Sequence, residues 1–268
     1  MLFIAQTGEF EKEEEKRKKM ANDYIDIYNK NIYNVQIATK DILKRSGEKV
    51  PLILFCGDPH GEFQHIVRMI RRNDYDAVII LGDLELRRKN LPEITEIIEK
   101  TQFFYIHGNH DTDNNEFHDT LMTGELAKHN ISGRVVDVKG VKIAGIGGVF
   151  RGQIWHPSSG LNYSSRTDYL AKCGKGSLWR GGMPLKHRST IFPDDFQALC
   201  NQKADVLVTH EAPLPHEKGF NVFNELGEQM NVMHYIHGHH HESYPYEDNR
   251  KACVPIRECY ALSINVDN

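Results

Sequence analysis

The clearest hydrophobic pattern begins at residues 52–61, LILFCGDPHG, where an apolar run stops abruptly at Gly57, Asp58, Pro59 and His60. A short apolar run rich in strand formers and closed by turn residues predicts a buried strand. Phe63, Ile66, Val67 and Ile70 then recur at helical spacing, and residues 77–81 form a second apolar run closed by Gly82 and Asp83. The figure repeats: Pro92 opens a helix through Lys100, and residues 103–107 lead into Gly108, Asn109, His110 and Asp111. Three strand-loop-helix units in a row predict right-handed crossovers and a largely parallel sheet. Their loops then share one sheet edge, where ligand sites of α/β folds gather. Asp58, His60, Asp83, Asn109 and His110 should therefore converge.

Beyond these units the pattern changes. Residues 134–138 and 141–146 flank Lys139-Gly140 and predict a hairpin, so the second half begins with antiparallel strands. A helix over 194–202 precedes a strand at 206–209 that ends in His210. A helix over 222–230 precedes a strand at 233–236 and the run His237-Gly238-His239-His240-His241, and residues 253–264 supply one or two closing strands. Upstream, a mixed-charge run at 9–19 gives way to Met20, Tyr24, Ile27 and Tyr28, then Val35, Ala38 and Ile42, at helical spacing. Residues 1–49 are thus expected to form an N-terminal helical appendage that packs on the domain or serves as an arm for a protein partner. The main domain occupies 50–268.

Residues 150–190 lack periodicity and are rich in Gly, Ser and Pro, which predicts a loop-rich insert, either a functional cap or disordered. Arg151, Arg166, Lys172, Lys175, Arg180, Lys186 and Arg188 face a single acid there, Asp168, although the whole chain carries a net charge of −4. A basic cover over an acidic remainder suggests an anionic ligand; the alternative is a solvated loop. Trp155, Tyr163, Tyr169 and Trp179 either stack on a base or aryl group or anchor the insert.

At 268 residues the chain fits one large α/β domain, and 33 basic against 37 acidic residues give no bulk sign of a nucleic-acid binder. No run approaches a membrane span, and residues 1–10 lack signal-peptide character, so a soluble, cytoplasmic protein is expected. Five scattered cysteines without a CxxC favour reduced thiols over a disulfide framework or thiolate zinc site. Among the 15 histidines, His118 and His216 read as surface residues.

Asp58-x-His60 alone could hold a divalent metal or simply cap a turn. Taken with Gly82-Asp83, Gly108-Asn109-His110-Asp111, His210 and Gly238-His239-x-His241, it resembles the blocks DxH, GDxxD, GNH(D/E), H and GHxH of the calcineurin-like metallophosphoesterase superfamily, in the same order. The second block departs from the pattern, reading GDLEL with Leu86 in place of the final Asp. The resemblance implies a four-layer β-sandwich with flanking helices. It also implies two divalent or trivalent metal ions, with Mn or Fe favoured and Zn possible. Asp58, His60 and His241 would hold one ion, Asn109, His210 and His239 the other, with Asp83 bridging.

Such a centre hydrolyses phosphoesters through a metal-bridging hydroxide. His110 is the candidate general acid and Asp111 its orienting carboxylate. Arg151, directly after a core strand, is the first candidate for gripping phosphate, with Arg87 and Arg88 as rivals. A phosphorylated small molecule or phosphoprotein is the favoured substrate. The alternatives are a phosphodiesterase acting on nucleotides or nucleic acid, and a non-catalytic adaptor of the same fold.

Overall fold

The computed structural model describes residues 50–264. The expected helical appendage at 1–49, and with it a partner surface there, lies outside the described residues. From Pro51 onward the described chain forms one compact unit.

Strands β1 (Leu52–Cys56), β2 (Ala77–Ile80) and β3 (Gln102–Tyr105) run parallel, joined by helices α1 (Gln64–Arg72) and α2 (Leu91–Lys100), as the hydrophobic pattern predicts. Helix α3 (Asn115–Met122) follows, started by the Asn114 side chain, which accepts the Phe117 N–H at 3.0 Å. The antiparallel pair β4 (Val135–Val138) and β5 (Val141–Ile146) opens the second sheet. The insert carries a two-residue-strand hairpin, β6 (Trp155–His156) and β7 (Gly160–Leu161), and helix α4 (Arg166–Lys172). Helix α5 (Pro193–Leu199), β8 (Val206–Thr209), α6 (Asn221–Met230), β9 (His234–His237), β10 (Lys251–Cys253) and β11 (Cys259–Ser263) complete the chain. The two large sheets have strand orders β11-β1-β2-β3 and β10-β9-β8-β5-β4.

Successive strand residues point to opposite faces, and the core divides accordingly. Leu54, Cys56, Val78 and Ile80 face Ile66, Ile70, Ile94 and Ile97 of α1 and α2. Their neighbours Ile53, Phe55 and Ile79 face Ile143, Val206, Val208 and Ile236 of the second sheet. On that sheet's far side, Ala144, Ile146 and Leu207 pack on Leu199 of α5 and Phe223, Leu226 and Met230 of α6. The result is four layers, helix on sheet on sheet on helix. The strands β1, β2 and β8 could be read as continuous apolar runs because both of their faces are covered.

The insert is ordered around Ile154, Tyr169, Met183 and Phe192. Much of its expected positive surplus is neutralised within the protein. Arg166 pairs with Asp194 and Asp195, Lys172 with Asp168, and Arg180 with both carboxylate oxygens of Asp119 at 2.7 and 3.0 Å. Its aromatic residues act as anchors: Trp155 packs on Phe150 and Phe196, Tyr169 on Tyr163 and Phe192, and the Trp179 Nε1–H donates to Asn115. His118 and His216, expected on the surface, are buried. His118 packs edge-on against Trp179, and His216 stacks on His240 with ring centroids 4.2 Å apart. Their polar neighbours in sequence concealed aromatic partners distant along the chain.

Candidate metal centre

Every strand-end group singled out from the sequence lies at the C-terminal edge of a parallel strand. Asp58 and His60 follow β1, Asp83 follows β2, Asn109 and His110 follow β3, His210 follows β8, and His239 and His241 follow β9. Holding polar side chains inward at these ends requires unusual backbone. Asp58, His60, Asp83, Glu85, His239 and His241 all have left-handed φ, between 28° and 70°. This conformation costs about 1–2 kcal/mol for a residue with a Cβ. Its concentration where the strand ends of the two sheets meet marks a site where geometry outweighs local preference. The glycines of the second and third loops answer a spatial demand. A Cβ on Gly108 would lie 2.1 Å from Asp83 Oδ1, and one on Gly82, at φ +111°, would lie 2.3 Å from His210 Nδ1.

Backbone hydrogen bonds lace the loops together. Asp83 Oδ1 accepts the His110 N–H at 2.8 Å, the Asp83 carbonyl accepts the His60 N–H at 2.9 Å, and Asp58 Oδ2 accepts the His239 N–H at 2.7 Å. Two groups of ligand atoms form around Asp83, each lying within 4.8 Å of one another: His60, Asp83 and His241, and Asp83, His210 and His239. His60 Nε2 faces His241 Nε2 at 3.0 Å, and His210 Nε2 faces Asn109 Oδ1 at 3.1 Å. Asp58 belongs to neither group; its Oδ1 lies 3.6 Å from His210 Nδ1.

These donors fit metal ions. Among the described residues, Asp58 Oδ1 and Asp83 Oδ2 are buried carboxylate oxygens with no hydrogen-bond partner, an arrangement that is costly unless a cation compensates it. Burial pushes Asp58 up to about 6, although His210 opposes the shift. For Asp83, burial acts upward but is outweighed by the His210 imidazolium and hydrogen bonds, which hold it well below the usual carboxylate range. Burial would lower His210, yet Asp83 and Asp58 raise it to about 10. A cation entering this position would displace that proton. His239 is pushed down to about 3 by burial and by His210, which keeps its ring neutral and able to ligate.

Because the carboxylates repel one another without a cation, Mn²⁺ should stabilise the fold. Thermal unfolding is expected to shift upward on titration, approaching a gain of about 2.7 kcal/mol at 100 times the dissociation constant. Excess EDTA should reverse it, and an unchanged unfolding temperature would contradict ion uptake.

His110 lies beside this centre, half-exposed, with its ring 5.7 Å from that of His60. Burial acts to lower its pKa, but the Asp113 hydrogen bond and the charge of Asp83 raise it overall. Its ring partner is not the expected Asp111. His110 Nδ1 bonds Asp113 Oδ2 at 2.7 Å, one 3₁₀ turn further on. Asp111 points inward, where its two oxygens accept the Glu85 and Gly108 N–H groups at 2.8 Å each, and burial together with Asp83 pushes it up to about 7. It ties the second loop to the third. The i,i+3 reach from His110 in the sequence HDTD was the signal for Asp113.

Two more acids escaped the sequence reading. Glu85 Oε1 lies 2.6 Å from His60 Nδ1, while Leu86 is wholly buried in the core. Glu211, pushed up to about 7 by burial, accepts the Phe150 N–H and comes within 3.9 Å of His239 Nε2. Arg151 is half-buried: its guanidinium donates to the Ser189 carbonyl and the Thr190 hydroxyl at 2.8 Å, and burial lowers its pKa against the opposing pull of Asp113, Glu211 and Asp83. Of its rivals, Arg87 lies over the Phe117 ring, and the Arg88 backbone N–H bonds Glu116. His237 is buried, with Nε2 bonded to the Tyr246 hydroxyl.

An uncharacterized protein of Haemophilus influenzae is 45% identical over 195 residues, 73% of this chain and 85% of the relative. Among solved structures, a Staphylococcus aureus protein described as a candidate 5′-nucleotidase aligns with TM-score 0.42 and 13% identity, over 81% of this chain and 51% of its own. This chain thus spans about half of that protein's length. A protein serine/threonine phosphatase of Saccharomyces cerevisiae aligns with TM-score 0.35 and 12% identity, over 76% of this chain and 67% of its own. The profile of the calcineurin-like phosphoesterases matches residues 51–243, the span that carries every loop of the centre, and the chain belongs to that family.

Proposed function

We propose that this phosphoesterase works with two metal ions bridged by Asp83 and hydrolyses phosphomonoesters, on a phosphorylated small molecule or a phosphoprotein. The observation that carries the reading is the pair of three-residue ligand groups sharing Asp83. One ion would be held by His60, His241 and Asp58, the other by Asn109, His210 and His239. Mixed carboxylate, amide and imidazole donors suit Mn or Fe, with Zn possible. When bound, the ions would supply Lewis-acid polarisation of the phosphoryl oxygens and of water.

This chain's own residues supply the rest. His110, whose pKa burial lowers but the Asp113 hydrogen bond raises overall, is the proton donor to the leaving oxygen, and Nε2, the ring nitrogen not bonded to Asp113, is the atom that delivers the proton. Arg151, fixed by Ser189 and Thr190, is the candidate grip on a phosphate oxygen. The monoester reading is favoured over the diester reading because the insert's large aromatics are already occupied as anchors, which leaves them unsuited to stacking on a base.

Turnover of p-nitrophenyl phosphate and bis(p-nitrophenyl) phosphate by the Mn²⁺-loaded protein tests the proposal. The monoester should be hydrolysed faster, and EDTA should abolish both activities. Faster diester turnover would shift the reading to nucleotide or nucleic-acid phosphodiesters. Full ion occupancy without hydrolysis of either would leave a non-catalytic adaptor.

A further inference from the structure

We infer that Glu85 is a positioning residue that fixes His60 as an Nε2 ligand of the ion it shares with Asp83 and His241. The inference rests on the two-ion reading above and extends it to a residue outside both ligand groups.

The geometry starts at His60 Nδ1, which lies 2.6 Å from Glu85 Oε1. A carboxylate oxygen here favours the tautomer that donates Nδ1–H to it, which leaves the Nε2 lone pair for a ligand role. That Nε2 faces His241 Nε2 at 3.0 Å and Asp83 Oδ2 at 4.0 Å. Two ring nitrogens and a carboxylate oxygen aimed at one volume form a ligand set, provided the lone pairs point inward. The other group is arranged in the same way, since His210 Nδ1 donates to the Leu81 carbonyl at 2.8 Å and its Nε2 turns toward Asp83. Glu85 thus does for His60 what a backbone carbonyl does for His210.

Glu85 itself is held in place. Its backbone is left-handed at φ 45°, and its N–H is bound by the buried Asp111 at 2.8 Å. Its side chain is three-quarters covered. The second block therefore keeps an acid in its loop, moved one position from 86 to 85. The left-handed turn sends this acid toward His60 while Leu86 enters the core.

Calorimetric titration of the full-length protein with Mn²⁺ tests the assignment, with circular dichroism to confirm folding. The parent chain should bind two ions. Glu85→Ala should weaken one of them by about 10- to 100-fold, the usual effect of losing such a partner, and leave the other unchanged. Glu85→Gln, whose amide oxygen can accept the same hydrogen bond, should restore most of the loss. In a His60→Ala background, Glu85→Ala should have no further effect, because the two residues act as one unit. Parent affinity at both sites in Glu85→Ala, or an equal Glu85→Ala effect with and without His60, would overturn the positioning role while leaving the two-ion centre intact. A parent chain that binds no Mn²⁺ would instead overturn the centre itself.

Discussion

Replacing Asp83 with Asn should leave a folded protein that loses Mn²⁺ on gel filtration and turns over p-nitrophenyl phosphate at least about 100-fold more slowly, the scale of a single preorganised electrostatic contribution. The reason is its position. Asp83 is the residue common to both ligand groups, and its Oδ2 is buried without a hydrogen bond among the described residues. An amide of nearly the same shape preserves the Oδ1 contact to the His110 N–H, so the third loop should stay in place. What it removes is the negative charge that, in the proposed centre, would balance two neighbouring cations and that raises the His210 pKa without them. Metal analysis together with kinetics separates the outcomes, and full occupancy with parent turnover would rule out a bridging Asp83.

The second large effect is expected at His110. His110→Ala should slow hydrolysis of alkyl phosphates by about 10²–10⁴-fold, the range for a positioned general acid, and slow p-nitrophenyl phosphate much less, because nitrophenolate departs without a proton. Ion content should be unchanged, since the His110 ring belongs to neither ligand group and its backbone N–H still serves Asp83. Asp113→Asn should give a smaller loss with the same dependence on leaving group, whereas Asp111→Asn should act through stability, because Asp111 braces two loops rather than the ring. Equal slowing of alkyl and nitrophenyl substrates by His110→Ala would remove the proton-donor role.

The sequence revealed what depends on periodicity. Buried parallel strands write themselves as apolar runs, and each of the first three runs ends in its polar residues, so convergence of Asp58, His60, Asp83, Asn109 and His110 could be anticipated from the pattern, whereas His210 and His241 joined them only through the family resemblance. What it concealed were choices made by local backbone. In HDTD the i,i+3 spacing to Asp113 is readable only once the turn is known to be 3₁₀, which sends Asp111 inward and Asp113 to the His110 ring. Likewise, GDLEL looked like a block missing an acid. Only left-handed φ at Asp83 and Glu85 turns the displaced carboxylate toward His60. The insert was opaque for a different reason. Its order comes from pairings with α3 and α5, such as Arg180 with Asp119 and Arg166 with Asp194, which leave no period in the chain.

The hydrogen bond from the His239 N–H to Asp58 joins a loop of the second sheet to a loop of the first, and each ligand group draws on both sheets. A nascent chain that has built only its first half therefore carries Asp58, His60, Asp83 and Asn109 without the imidazoles that arrive later. Such a polypeptide, emerging from synthesis or trapped partway to the native state, would hold only part of each ligand group, and under the proposed reading a complete set would exist only once the two halves have closed on each other.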